Sequence, residues 1–334
     1  MASDIQRPYL LFLGDAKDQL GAKTAQGVAD WRPEWCVGQL RLPGCNADLG
    51  LDDLTIEQAA EKGVRTMIIG VANAGGFLGD TWTESILSAL DAGFDIASGL
   101  HIKLGDIAEI RDAATRNGRQ LFDVRHPSQE FATGTGVKRT GKRLLTVGTD
   151  CSLGKMYTSL AIEQAMREAG ADTDFRATGQ TGIFIAGGGV SVDCVISDFI
   201  AGASEGLGPD AAADHWDIYE GQGSLFHPAY AGVSLGLLHG AQPDYLVLCH
   251  EPTRTHMRNL PHLPLPDLEI CLEANLRAAQ LTNPAAEFCG VSINTSALSE
   301  EERQTCLAET EARLGLPCVD PLKNGVSRIV ERLL

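Results

Sequence analysis

Small polar residues, glycine and one lysine between an apolar strand and a helix can hold phosphate, and residues 148–158 have that make-up: Gly148-Thr149-Asp150-Cys151-Ser152-Leu153-Gly154-Lys155-Met156-Tyr157-Thr158. The stretch follows Leu144-Leu145-Thr146-Val147 and precedes a helical pattern, so it reads strand, tight loop, helix. Main-chain donors in such a loop and the positive end of the next helix converge on one point, and Lys155 adds a full charge there. Polyphosphate is the natural occupant, with residues 148–157 as its contacts. Two departures from G-x-x-x-x-G-K-[ST] matter. Thr149 stands where the first glycine belongs, with Gly148 one residue earlier, and Met156 stands where a hydroxyl would bind the magnesium ion that bridges terminal phosphates. Thr158 lies two residues, just over half a turn, further along. A cradle without its metal ligand suits the pyrophosphate of a cofactor better than the splitting of a nucleotide. Cys151 sits inside the loop, but no neighbour in sequence reads as its activating base.

Other chemistry-bearing residues fall where strands are expected to end. Cys249-His250-Glu251-Pro252 closes an apolar run, and Pro252-Thr253-Arg254-Thr255-His256-Met257-Arg258 leads into a proline-rich loop. Glu220-Gly221-Gln222-Gly223-Ser224 closes another strand. Arg176-Ala177-Thr178-Gly179-Gln180-Thr181-Gly182 is dense in residues that allow close backbone approach to a ligand, which puts Gln180 and Thr181 with the cofactor contacts. Gly187-Gly188-Gly189 reads only as a sharp turn ahead of a helix containing Asp193. Gly99-Leu100-His101-Ile102-Lys103 follows a strand, so His101 and Lys103 are expected to bring charge to an anionic substrate at an interdomain cleft. Residues 70–76 are glycine-rich but lack the G-x-G-x-x-G order, and Asp15, Lys17 and residues 31–45 receive no assignment.

The elements that must carry these residues alternate from end to end. Strands are expected at 9–13, 66–71, 95–98 and 121–124, with helices near 56–62, 82–92 and 107–117, the middle one opened by a capping box at Thr81-Trp82-Thr83-Glu84. After a linker at 127–142, strands recur at 143–147, 174–177, 216–220, 245–249, 288–293 and 318–319. Helices there fit 155–169, 192–201, 229–239, 268–280, 300–314 and 326–333. The expected fold class is α/β: an N-terminal Rossmann-like domain over residues 1–136, then a P-loop NTPase-like doubly wound parallel sheet over 137–334. Lys138, Arg139, Lys142 and Arg143 at the seam read as solvated charges, with contact to an anionic ligand as the alternative because they immediately precede the strand of the phosphate loop.

A length of 334 residues fits two domains, and 44% apolar with 21% charged residues is ordinary for a folded protein. The formal charge of −17 argues against nucleic acid and anionic lipid as partners. The first residues, MASDIQRPYL, lack the pattern of a signal peptide, and no apolar run approaches a membrane span. Nine cysteines without a C-x-x-C pair indicate neither a disulfide framework nor a zinc ribbon, and no bound metal is expected. A cytoplasmic enzyme is the resulting expectation, and a homo-oligomer is the prior for such a chain.

Gly148-Thr149-Asp150 leading to Gly154-Lys155 resembles the phosphate loop of dethiobiotin synthetase, and Asp217-Ile218-Tyr219-Glu220-Gly221-Gln222-Gly223-Ser224 resembles the acidic strand end of the same enzymes. Over its whole length the chain is similar to a narrower bacterial family with a Rossmann-like first domain and a P-loop second domain, whose described members are D-glutamate N-acetyltransferases. The Gly154-Lys155-Met156 ending, Ser98-Gly99-Leu100-His101, the 176–182 segment and the Glu220–Ser224 strand end carry that similarity. It implies acetyl-CoA as the acetyl donor, D-glutamate as the small-molecule acceptor, and a loop that grips the phosphates of CoA. Amide formation needs a base for the substrate ammonium and donors for the tetrahedral oxyanion. The expected base is Glu251, with Glu220 and His250 as alternates, while Arg254, His256 and Arg258 are expected at the substrate's carboxylates or the cofactor's 3′-phosphate. Two other readings stay open on sequence: an ATP-Mg-dependent ligase or kinase of the dethiobiotin synthetase type, resting on Asp150, Lys155 and Glu220, and a nucleotide-sensing regulator without turnover.

Overall fold

The structure, a computed structural model, describes residues 5–71, 78–127 and 129–334. Contacts divide the chain into two compact units, Met1–Gln129 with Gly179–Cys194, and Glu130–Thr178 with Val195–Leu334. We call them unit 1 and unit 2.

Unit 1 alternates β1 (Tyr9–Gly14), α1 (Lys23–Trp31), β2 (Cys36–Arg41), α2 (Ile56–Glu61), β3 (Thr66–Ile69), α3 (Asp80–Asp91), β4 (Asp95–Ser98), α4 (Ala108–Asn117) and β5 (Leu121–Asp123). The strands pair in parallel in the order β2-β1-β3-β4-β5. Every residue of β1, β3 and β4 is buried, as expected where helices cover both faces of a parallel sheet. Gly14 ends β1 in a left-handed conformation (φ +52°), and a Cβ there would lie 2.6 Å from the Trp82 ring. The indole therefore covers the first strand end and donates from Nε1 to Asp15 at 3.0 Å.

The remaining elements are β6 (Lys142–Gly148), α5 (Lys155–Glu168), β7 (Thr173–Arg176), α6 (Gln180–Ala186), α7 (Ile200–Leu207), β8 (Trp216–Tyr219), α8 (Ala231–Ala241), β9 (Tyr245–His250), β10 (His256–Met257), β11 (Leu260–Pro264), α9 (Leu268–Gln280), β12 (Glu287–Ile293), α10 (Glu300–Leu314), β13 (Cys318–Val319) and α11 (Ser327–Val330). All but α6 belong to unit 2, whose parallel sheet runs β13-β12-β9-β6-β8-β7. From β6 the strand order leads off one way through β8 and the other way through β9, so the carboxyl end of β6 lies at the topological switch point. Leu144, Leu145 and Val147 anchor β6 in the core, each contributing about 1.5–3 kcal/mol of burial.

Several expectations need correction. Residues 31–45 contain β2, whose Gly38 leaves no room for a side chain: a Cβ would lie 2.5 Å from Leu54. The tetrapeptide 81–84 is no capping box, because α3 begins at Asp80 with Gly79 as its extended N-cap and Thr81 lies inside the helix. Capping boxes form instead at Thr55 with Gln58 and at Ser299 with Glu302. The helix expected at 192–201 is two short 3-10 turns, Val192–Cys194 and Ser197–Phe199, before α7 starts at Ile200. Valine, isoleucine, serine and aspartate, all poor in helix interiors, dominate that stretch. The proline-rich loop is a hairpin, β10 with β11, turned at Arg258 and Asn259 (φ +62°). Its prolines are tolerated because β11 pairs on one side only. The basic seam is solvated only in part: Lys142 and Lys138 are exposed, Lys138 pairing with Asp244 at 2.9 Å, whereas Arg143 is fully buried 3.6 Å from Asp217 and Arg139 donates to the carbonyls of Glu205 and Gly240. Residues 72–76 of the glycine-rich stretch lie outside the described residues.

Candidate functional site

The loop between β6 and α5 is held from three sides. Thr149 N–H donates to the carbonyl of Cys249 at 3.1 Å, and its hydroxyl lies 3.1 Å from Nδ1 of His250, tying the loop to the end of β9. Ser224 donates to the Thr149 carbonyl at 3.1 Å, and Gly221 N–H donates to Thr146 Oγ1 at 2.9 Å, tying it to the segment after β8. Gly221 can only be glycine, since a Cβ would sit 1.7 Å from the Thr146 carbonyl oxygen. The Ser159 hydroxyl of α5 lies 3.0 Å from the Lys155 carbonyl and 3.1 Å from the Tyr219 carbonyl, either of which can accept its proton, and it closes the staple between helix and strand.

Within the loop, Ser152 (φ +55°) and Gly154 (φ +101°) adopt left-handed backbone that turns the chain into α5. The first intrahelical bond runs from Thr158 N–H to Gly154 O at 2.9 Å, so the helix supplies no acceptor for the amides of Lys155 and Met156. Lys155 is buried, and its Nζ donates to the Asp150 carbonyl at 2.8 Å. Burial pushes its pKa down, which favours a site where an anion would restore the lost solvation. Thr158 does not replace the missing metal hydroxyl: its Oγ1 donates back to Gly154 O at 3.1 Å and lies 2.7 Å from Ser292 Oγ on β12.

Asp150, expected among the loop's contacts, is held by the protein's own donors. Its buried carboxylate accepts from Cys151 N–H at 2.7 Å on one oxygen, and on the other from Arg254 at 2.9 Å and Arg258 N–H at 2.7 Å. Burial alone would raise this carboxyl group, but the Arg254 bond and the two amides outweigh it and hold it below the usual range. Arg254 continues to the Cys151 carbonyl at 2.8 Å, the Ser152 carbonyl at 3.2 Å and Glu251 at 2.7 Å. One guanidinium thus braces the loop from its carboxylate to its apex. Arg254 ties Glu251 to the loop, and Thr253 donates to the other Glu251 oxygen at 3.5 Å.

His250 is pushed down to about 4 by burial and by the charges of Arg313 and Arg254, so its ring is neutral at neutral pH. It also borders a cavity of about 340 Å³ shared with Asp267, Cys306 and Arg313. Glu220 is buried and accepts from Thr178 N–H at 3.0 Å. His227, which the sequence reading passed over, brings a ring nitrogen within 4.8 Å of Asp150 and Cys151. Its ring is already engaged, with Nε2 donating to the Arg258 carbonyl at 3.1 Å and Nδ1 accepting from Ala229 N–H at 3.2 Å, and a cation entering this trio would compete with Arg254 for Asp150. Burial and the Asp150 charge push the Cys151 thiol up, away from the thiolate.

The expected residues divide between the two units. Gln180 and Thr181 open α6 and belong to unit 1, with His101 and Lys103, whereas the loop, Glu220, His250, Glu251, Arg254, His256 and Arg258 belong to unit 2. Gln180 packs on Gly99, where a Cβ would meet its Oε1 at 2.3 Å, and Thr181 donates to Thr24 at 3.4 Å. The carbonyl of His101 accepts from His126 Nε2 at 2.9 Å. Lys103 borders a cavity of about 530 Å³ with Asp123 and His126. Asp123 closes a strand at its carboxyl end, which is the signal that could have singled it out in the sequence.

Among the described residues no helix is long and apolar enough to cross a membrane. The model of a family described as a domain of unknown function, the P-loop domain DUF1611_C, matches residues 130–330, and that of the Rossmann-like domain DUF1611_N matches residues 40–127. A curated protein of Pseudoalteromonas sp named D-glutamate N-acetyltransferase is 55% identical, covering 98% of this chain and 99% of its own. Another of that name, from Tritonibacter scottomollicae, is 54% identical over the same shares. The crystal structure of a DUF1611 family protein from Anabaena variabilis ATCC 29413 superposes with a TM-score of 0.86, at 29% identity over 98% of both chains. Matched by the family's P-loop model over residues 130–330 and by these relatives along nearly its whole length, the chain belongs to the DUF1611 family, the family of these D-glutamate N-acetyltransferases.

Proposed function

We propose that the chain is an acyltransferase that moves an acetyl group from acetyl-CoA to the amino group of D-glutamate, with the loop before α5 holding the CoA diphosphate. The observation that carries this reading is the full-length kinship with two proteins named for that reaction. Lys155, the amides that open α5, and Asp150 neutralised by Arg254 make up a cradle for phosphate oxygens that asks for no hydroxyl at position 156. Arg258 lends its main-chain N–H to Asp150, which leaves its guanidinium for a 3′-phosphate or a substrate carboxylate, while Nδ1 of the His256 ring lies 3.2 Å from Thr255 Oγ1.

In the reaction the amine nitrogen attacks the thioester carbonyl carbon, the carbon–sulfur bond breaks, CoA leaves as its thiolate, and a base takes the ammonium proton. The pantetheine arm between diphosphate and sulfur is about as long as four extended residues, roughly 14 Å. Glu251, Glu220 and His250 all stand beside the loop itself, so on this reading they shape the phosphate end, and the proton leaves through a group an arm's length away. We further propose a cytoplasmic setting, consistent with nine free cysteines, and a homo-oligomer.

The test is release of free CoA thiol from acetyl-CoA by purified protein across a panel of D- and L-amino acids. Release that depends on D-glutamate is expected. Absence of release with every amino acid would overturn the reading.

A further inference from the structure

The cavity of about 530 Å³ is built entirely from unit 1, although part of its wall comes from far along the chain. Asp123 at the end of β5 and Lys103 border it on one side, and Ile183, Val190 and Ser191, from α6 and the turn after it, border it on the other. Its volume falls within the range of about 300–1,000 Å³ usual for small-molecule sites.

Three features mark it as a built site. The polar groups are fixed from behind: Asp123 accepts from Leu104 N–H at 2.9 Å and Gly105 N–H at 3.3 Å, and Ser191 donates to Asp193 at 2.8 Å. Asp193 is in turn locked to Arg125 at 2.6 Å, which fastens the 179–194 segment to the end of β5. Charge is complementary to a zwitterion, with Lys103 in no ion pair among the described residues and a half-buried carboxylate, Asp123, on the same wall. Burial pushes the Asp123 carboxyl up, against the pull of the two amides, so a cationic partner would recover solvation it has lost. Ile183 and Val190 add buried apolar surface suited to a short methylene chain.

We propose that this cavity binds a small amino acid through both of its charges, Lys103 pairing with a carboxylate and Asp123 with the ammonium. The inference rests on the acetyl-transfer reading in one respect only: it identifies the amino acid with the acetyl acceptor, D-glutamate. Asp123 is then also the carboxylate next to the amine that must lose a proton.

Steady-state kinetics on Lys103→Glu, an exposed position where the fold has little at stake, tests this together with D-glutamate titrations of ¹⁵N-labelled wild-type protein. The KM for D-glutamate should rise about 10- to 100-fold, the range of one lost charge-assisted bond, while the KM for acetyl-CoA stays within about twofold. An unchanged KM for D-glutamate would overturn the proposal. If the wild-type protein transfers no acetyl group, the functional reading fails and the titration still decides the site. Amide shifts confined to the segments that line the cavity, around 103, 121–127, 183 and 189–191, support it, and shifts confined to other segments, or none, refute it.

Discussion

A carboxylate inside a phosphate loop repels the anion the loop holds unless a cation cancels it, and Arg254 sits 2.9 Å from Asp150. Removing one partner of a buried pair leaves an uncompensated charge, which costs about 3–5 kcal/mol. Arg254→Gln should therefore lower stability by roughly that amount and raise the acetyl-CoA KM at least ~10-fold, and adding Asp150→Asn should recover much of the stability. A double-mutant cycle by thermal unfolding, with KM for both substrates, checks this; a single variant as stable as wild type would contradict it. Glu251→Gln should change kcat by less than about tenfold, because loss of a general base would cost 10²–10⁴-fold. The loop residues were readable from sequence because they are contiguous. The bracing role of Arg254 was not, since its partners Asp150 and Cys151 lie 104 and 103 positions away and nothing local announces the pairing.

Elements bring these residues together through the switch point. The ends of β8 and β9 flank β6, so the segments from Glu220 to Ser224 and from His250 to Glu251 meet the loop without any long connection. The register depends on Gly221, whose missing side chain lets the chain pass against the Thr146 carbonyl. Gly221→Ala should unseat the staple, costing about 1–3 kcal/mol from overpacking and weakening CoA binding with it. Calorimetric unfolding and CoA titration check this, and an alanine variant with wild-type values of both would refute it. Apolar periodicity disclosed most strands and helices, because parallel strands buried on both faces read as short apolar runs. It missed β2, which is buried only in its middle, and the hairpin β10–β11, whose prolines mimic a loop. It also missed that α6, read as a ligand loop, is a helix packed on α1 in unit 1.

For the whole molecule, the alternation of apolar runs and helical patterns was enough to expect two α/β sheets. The return of residues 179–194 to unit 1 was not legible, because a short helix with Gly179 before it and Gly187 after it looks the same wherever it packs. The formal charge of −17 sets the background against which any anionic cofactor must bind, so the local arrangement around Lys155 and Arg254 has to overcome long-range repulsion. A crystal structure of the protein with CoA, grown without divalent cations, tests that arrangement most directly. The diphosphate should lie against the main-chain amides that open α5, with Lys155 Nζ turned toward it and no metal between them. CoA seated away from residues 148–157, with the loop unchanged, would contradict the account.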